Sequence, residues 1–406
     1  MIDFTIPDSI QVQSAALKAV AEEVMRPASR HFDEHEHEVP WDYMRFMHQA
    51  MRATGSGSMA GRTPRTGPRL GFQTLAFSIE VLSWGDAGLY LCTPGGGLGA
   101  AAVEATGTPE QREHFLNRFR GEEPVLACMA MTESHCGSDT AAIRTRAVRD
   151  GDSWVLNGEK IFVTAGHKSL VDTQGFVVVW ATLDPAAGRA AMRPFVVESG
   201  TPGLSVTKVE KKMGIRASDT AALVLQDCRV PLENMLGEPE IKPKEGKGFR
   251  GAMATFDATR PLVCASALGV ARAALELLRE RLAGEGVVLR EGLPRSRMTN
   301  LEREVTDMEI MLRSAWLLVL KAAWMADEGK PNTLEASMAK VRAGEVVTRI
   351  TQRAVELLGP MGYSKDLLLE KWMRDAKIND IFEGTGQINR LIVARRILEY
   401  SSAELR

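Results

Sequence analysis

The stretch MAMTESHCGSDTAAIRTRAVRDGDSWVLNGEKIFVT, residues 129–164, is where the texture of this chain changes. Upstream, from about residue 9 to 119, apolar side chains recur at three- and four-residue spacing, as in SIQVQSAALKAVAEEVMRPASRHF and LGFQTLAFSIEVLSWGDAGL. That period marks amphipathic helices, and the breaks GRTPRTGPRLG and CTPGGGLG separate them. Downstream come short β-rich runs such as GFVVVWATL, MRPFVVE, LSVTKVE and AALVLQDCRV, punctuated by DGDS, NGE, ESGTPG and VPLEN. Closely spaced strands with turn residues between them predict a small sandwich or barrel. From about residue 248 the helical period returns in four amphipathic runs, beginning at MATFDATRPLV, NLEREVTDMEI, LEASMAKVRAG and GQINRLIVARR. The order predicts an α+β chain: an N-terminal helical domain over 1–123, a middle β-barrel or sandwich domain over 124–240 and a C-terminal four-helix bundle over 241–406.

Composition narrows the partners. The 406 residues carry 50 Lys and Arg against 52 Asp and Glu, a net charge of -2. A near-neutral chain has no global field drawing it to nucleic acid or to an anionic membrane, so an anionic ligand must be held by local arginines. Hydrophobic residues are 45% and charged residues 25%, the mix of a soluble globular protein. The N-terminus MIDFTIPDSI lacks a basic leader, and no run of about 18 apolar residues stands out, so a cytoplasmic location is expected. Five scattered cysteines without a CxxC pair read as buried apolar side chains rather than as disulfides or a metal site.

Three segments carry chemistry. In MAMTESHCGSDT, residues 129–140, Thr132, Gly137 and Ser138 offer hydroxyls and unhindered backbone in one irregular loop, suited to a carbonyl-rich ligand or to a plain linker. In NGEKIFVTAG, Asn157-Gly158 reads as a tight hairpin turn, after which Phe162 and Thr164 share one strand face. An aromatic beside a hydroxyl could cover a planar ring; a simple cross-strand aromatic fits as well. In MRDAKINDIFEGTGQINRLIVARR, residues 373–396, Glu383 precedes Gly384-Thr385-Gly386 and follows Ile381 and Phe382. A carboxylate desolvated there becomes a better base. The same residue could instead cap the next helix.

TESHCGSD, NGEKIFVT and FEGTGQINRLIVAR, with KKMGIRASDTAALVLQDCRVPLENMLG and TFDATRPLV in the same order, resemble the FAD-dependent acyl-CoA dehydrogenases over residues 4–398. The resemblance implies α,β-dehydrogenation of an acyl-CoA thioester to the trans-2-enoyl-CoA, in fatty acid β-oxidation. Glu383 would take the α-proton while hydride leaves the β-carbon for flavin N5. It implies FAD held by Met129, Met131, Thr132, Gly137, Ser138, Phe162, Thr164, Thr385 and Gln387. Thioester contacts would come from Ser138, Asp257, Arg260, Gly384 and Arg395, the last suited to a CoA phosphate. It also implies an electron-transfer flavoprotein as electron acceptor and a homodimer or homotetramer. Some members draw the base from a Glu ahead of the arginine in the first bundle helix; here that position is Thr259, which leaves Glu383 as the base.

Two departures concern the part of the flavin site that a neighbouring subunit completes in this family. An expected arginine is Glu285, with Arg290, Arg295 or Arg297 as candidate substitutes, and an expected Gln and Gly-Gly are Glu356 and Gly359-Pro360. They keep open weakened FAD binding at a self-dimer interface, a heteromer with a different homologous subunit, or a largely structural subunit; a flavoprotein of this fold with oxidase or nitroalkane chemistry is a separate alternative. No metal site is expected: the tract HFDEHEHEVP, with His31, His35 and His37, reads as a polar helix end. His135 and His167 flank flavin motifs without a needed role, Trp316 and Trp324 read as core, and Gly386 reads as room for a bulky acyl group.

Overall fold

The computed structural model describes residues 5–53, 70–241, 247–400 and 404; residues 61–69 of the break GRTPRTGPRLG lie outside them. Helices α1 (Asp8–Val20) and α2 (Arg26–Glu34) are joined by a wider π turn at Ala21–Met25. Pro27 has no N–H to give, and the Arg26 N–H reaches back five residues to Ala21 O. Then follow α3 (Trp41–Ala53), α4 (Gly71–Tyr90), α5 (Gly97–Thr106) and α6 (Pro109–Leu116).

Seven strands follow: β1 (Ala127–Ala130), β2 (Arg146–Asp150), β3 (Ser153–Thr164), β4 (Phe176–Thr182), β5 (Met192–Glu198), β6 (Leu204–Val209) and β7 (Thr220–Pro231). They form one curled sheet in the order β1-β4-β2-β3-β7-β6, with β5 on β4. Every residue of β4 is buried, because both of its faces are covered. Val177 and Val179 point into the curl with Leu156, Phe195 and Leu223, while Phe176, Val178 and Trp180 face Phe115, Phe119 and Phe256. A strand buried on both sides reads as a continuous apolar run, which FVVVWAT is.

The bundle consists of α7 (Lys247–Gly284), α8 (Asn300–Asp327), α9 (Thr333–Leu358), the short α10 (Pro360–Tyr363) and α11 (Leu369–Ala376), and α12 (Gly386–Ile397). Thr299 opens α8 with a capping box on Glu302. The helical regions at the two ends of the chain share one core, in which Leu82 and Trp84 of α4 pack with Leu268 and Leu275 of α7, Val319 of α8 and Ile350 of α9. Gly269 makes this approach possible, since a Cβ there would lie 2.2 Å from Glu80 O of α4. The Lys371 ammonium of α11 is buried on Asp86 of α4 and on Asp375, whose carboxylate accepts from the Ile215 N–H at 2.5 Å. That network ties the helices to the loop before β7.

Thr255–Gly284 is long and apolar enough to cross a membrane, yet 72% of its most apolar window is buried, as the central helix of a bundle requires. All five cysteines are unpaired and buried. Trp316 packs edge-on against Phe77 at 5.1 Å. Trp324 departs from expectation: it is 42% exposed, with the Lys330 ammonium 4.3 Å above its ring. Near a helix end the indole keeps one face in water, and a lysine covers it.

Candidate active site

A cavity of about 1290 Å³ opens between the sheet and the bundle. The β side contributes Met129, Met131, Thr132, Gly137, Ser138, Phe162 and Thr164. The helical side contributes Asp257 and Arg260 from α7, Glu383, Gly384 and Thr385 from the loop before α12, and Arg395 from α12 itself. Leu98, Met253 and Phe256, which the sequence does not single out as site residues, also line it. Gln387 is exposed on α12 and is not among the lining residues.

The β wall is shaped by two irregularities in β3. Asn157-Gly158 is not a hairpin turn: β3 runs through it, paired with β7, and the register slips between Leu156 and Gly158. The Asn157 side chain is bonded to Asp227 of β7, and a Cβ at Gly158 would lie 2.5 Å from Thr145 Oγ1, so the pair makes a bulge rather than a turn. A second slip lies between Lys160 and Val163, where Phe162 stands at φ 56, 61% exposed and lining the cavity. Below this wall the buried Lys160 ammonium donates to Met131 O at 2.9 Å and Glu133 Oε1 at 2.7 Å. Glu133 also accepts from the Arg144 and Thr145 N–H groups. Burial works against its charge, but Lys160 and these donors hold its carboxyl below the usual carboxylate range.

Glu383 stands opposite, in a tight loop. Its φ is 56 and that of Gly384 is 92, two successive left-handed residues. For a glutamate this costs about 1–2 kcal/mol, the kind of strain that collects at functional sites. The loop is over-determined: Asn389 Nδ2 donates to Gly384 O at 2.9 Å and Thr385 O at 3.0 Å, and Thr385 Oγ1 accepts the Ile388 N–H. Thr385, not Glu383, therefore caps α12, and the Glu383 side chain turns to α7, where Thr259 Oγ1 donates to its Oε2 at 3.2 Å. Burial pushes the Glu383 carboxyl up, with the Thr259 hydroxyl and the charges of Lys340 and Arg260 limiting the rise. Gly386 is small for another reason than acyl size: a Cβ there would lie 2.3 Å from Asp380 Oδ1.

Arg260 is buried, gives Nη1 to Asp257 Oδ1 at 2.7 Å, and has an Nε without a partner. Asp257 Oδ2 accepts from Thr333 Oγ1 at 2.6 Å. An exposed aromatic on one wall, open backbone at Gly137, whose Cβ would meet only Thr132 Cγ2 at 3.7 Å, and an orphan guanidinium N–H on the other wall fit a planar heterocycle with a polar ligand beside it. The two departures lie elsewhere. Glu285 is exposed, Glu356 pairs with Arg353 at 2.5 Å, and Pro360 starts α10. Arg290 is committed to Glu302 at 2.6 Å and Arg295 to Asp307 at 2.6 Å, and neither lines the cavity. His135 Nε2 donates to Ala142 O at 2.8 Å, His167 lies beside Asp172, and neither histidine lines the cavity.

Comparison with known proteins places this geometry. Family profiles match in sequence order: "Acyl-CoA dehydrogenase, N-terminal domain" over residues 7–123, "middle domain" over 128–228 and "C-terminal domain" over 246–398. The short-chain specific acyl-CoA dehydrogenase of Rattus norvegicus mitochondria is 34% identical over 396 residues, covering 97% of this chain and 91% of the relative. The butyryl-CoA dehydrogenase of Megasphaera elsdenii superposes with a TM-score of 0.85 at 32% identity, covering 98% of this chain and 100% of that one. A chain solved in work on the electron transferring flavoprotein of Acidaminococcus fermentans superposes with a TM-score of 0.83 at 31% identity, covering 98% and 100%.

Proposed function

Since the chain belongs to the acyl-CoA dehydrogenase family and is an oxidoreductase of acyl-CoA thioesters, we propose that it desaturates a short acyl chain between the α- and β-carbons, with Glu383 as the base and FAD as the cofactor. One observation carries this reading: a carboxyl that burial has moved toward neutrality lines a cavity whose opposite wall presents Phe162 and Thr164. A desolvated carboxylate of this kind is a stronger base than an exposed one.

Met129, Met131, Thr132, Gly137, Ser138, Phe162 and Thr164 would hold the cofactor. Bound FAD would supply the acceptor for the β-hydrogen. The rest is the chain's own work. The Thr259 hydroxyl donates to Glu383 Oε2, which would leave Oε1 for the α-proton. The backbone N–H of Glu383 is read as a donor to the thioester oxygen as negative charge gathers there. The Arg260–Asp257–Thr333 chain fixes the floor beside the carboxyl, and Arg395, on α12, is read as a contact for CoA phosphate.

Short acyl chains are favoured by the substrates that the similar enzymes are named for. An electron-transfer flavoprotein is the proposed electron acceptor, and two or four copies are the proposed assembly. Anaerobic mixing with acyl-CoAs of graded length, with branched and cyclic ones included, tests the reading by bleaching of the flavin. Butyryl-CoA is expected to bleach it fastest. Absence of bleaching by every thioester would defeat the reading, and one FAD per chain in protein purified alone would argue against a heteromer.

A further inference from the structure

Lys340 lies on the buried face of α9 and is 2% exposed. Among the described residues no carboxylate stands within ion-pairing distance of it. Its ammonium donates instead to the backbone carbonyl of Asn379 at 2.5 Å. Isolated buried ammonium groups are expensive and are retained where something depends on them. Asn379 belongs to the 3₁₀ turn Lys377–Asp380, four residues ahead of Glu383. One helical turn along the same face of α9, Gly344 lets this segment sit close: a Cβ there would lie 3.1 Å from Asn379 O and 3.3 Å from Asp380 Cα. The Asn379 side chain completes the seat by donating to Ala376 O at 3.2 Å.

We propose that Lys340 is a positioning residue for Glu383: it seats the turn from which the carboxylate springs and places a positive charge behind it. The inference rests on the reading of Glu383 as the base. The charges facing Glu383 are few. From α7 come the Thr259 hydroxyl and Arg260, from α4 the Tyr90 phenol, and from α9 Lys340, which Asp380 also faces. Arg260 is paired with Asp257 at 2.7 Å, whereas the hydrogen bond of Lys340 goes to a carbonyl, with Asp380 as a further charge nearby. Lys340 and Arg260 both favour the charged form of Glu383, and of the two only Arg260 is in a salt bridge among the described residues. Burial lowers its own affinity for a proton, with Cys264, Glu383 and Asp380 acting in the opposite sense. The two groups thus stabilise each other's charged forms, with the Phe382 ring 5.7 Å from the ammonium.

The test uses FAD-loaded wild type, Lys340→Met, Lys340→Arg and Gly344→Ala. Two quantities are read: amide hydrogen exchange over residues 379–384, and the pH midpoint of flavin reduction by butyryl-CoA. Lys340→Met is expected to speed exchange there by about tenfold, and to move the midpoint up by about one pH unit, because the carboxylate loses a nearby cation. Lys340→Arg should return the midpoint toward wild type. Gly344→Ala pushes on Asn379 without changing any charge, so it should speed exchange and slow reduction while leaving the midpoint in place. Wild-type exchange and an unmoved midpoint in Lys340→Met would overturn the proposal. If that variant does not fold, unchanged exchange in Gly344→Ala overturns the seat, and a midpoint displaced by Lys340→Arg overturns the charge. Failure of every acyl-CoA to reduce the wild-type flavin would instead count against Glu383 as base, and the exchange measurement would still decide what Lys340 holds.

Discussion

Replacing Lys160 with methionine removes the ammonium under the β wall and leaves the Glu133 carboxylate buried. Glu133 keeps two backbone donors, from Arg144 and Thr145, but loses its counter-ion at 2.7 Å, and Met131 O loses its donor at 2.9 Å. Breaking a buried pair from one side costs about 3–5 kcal/mol, and the surviving donors argue for the lower end, about 3 kcal/mol. Spread over the unfolding entropy of a chain this long, that lowers the melting temperature by about 3–4 °C. Because Met131, Gly137 and Ser138 line the side of the cavity proposed to hold FAD, the looser loop should also weaken FAD by about tenfold, equivalent to about 1.4 kcal/mol. Thermal unfolding with and without FAD, together with a flavin-fluorescence titration, reads both effects. The double variant Glu133→Gln/Lys160→Met removes the stranded charge and should recover at least half of the lost melting temperature. A Lys160→Met protein that melts within about 1 °C of wild type and binds FAD equally well would refute the reasoning.

Three further outcomes follow from the same geometry. Thr259→Val removes the donor that favours the charged form of Glu383, so the pH midpoint of flavin reduction should rise and the rate below it fall a few-fold; stopped-flow bleaching across pH checks this. Gly386→Ala drives a methyl group into Asp380 Oδ1 and should lower the melting temperature without altering the order of acyl-CoA preference in a substrate panel. Burial raises the folded-state pKa of Glu383 above its unfolded value, so the native protein holds that proton more firmly. Its stability should fall, relative to Glu383→Gln, as pH rises from the ordinary carboxylate range near 4 up to the raised value, and level off above it; melting curves of the two proteins against pH measure the gap.

Much of this molecule is legible in its sequence because local signals and tertiary structure agree. The three textures fold as read, and of the candidate site residues all but Gln387 line one cavity. The misreadings have physical reasons. Asn-Gly is the strongest short-range hairpin signal, but twelve-residue pairing of β3 with β7 absorbs it as a bulge. The smallness of Gly386 answers to Asp380, a neighbour six residues back that no periodicity predicts. Thr259 entered the reading only as a missing carboxylate, and its bond to Glu383 exists because α7 passes the loop before α12. Lys340 did leave a trace: it sits among Ala336, Ala339 and Ala343 on the buried face of α9, where a lysine contradicts the pattern. A polar residue on an apolar stripe marks a place where packing has been overruled, though the partner it serves is visible only once the chain is folded.

The most direct trial of Glu383 as the base is rapid anaerobic mixing of FAD-loaded Glu383→Gln with butyryl-CoA. The amide keeps the shape of the side chain and can still take the Thr259 hydroxyl, but it cannot accept the α-proton. Thioester binding should persist while flavin reduction slows by about 10³-fold or more. Reduction at the wild-type rate would contradict the assignment.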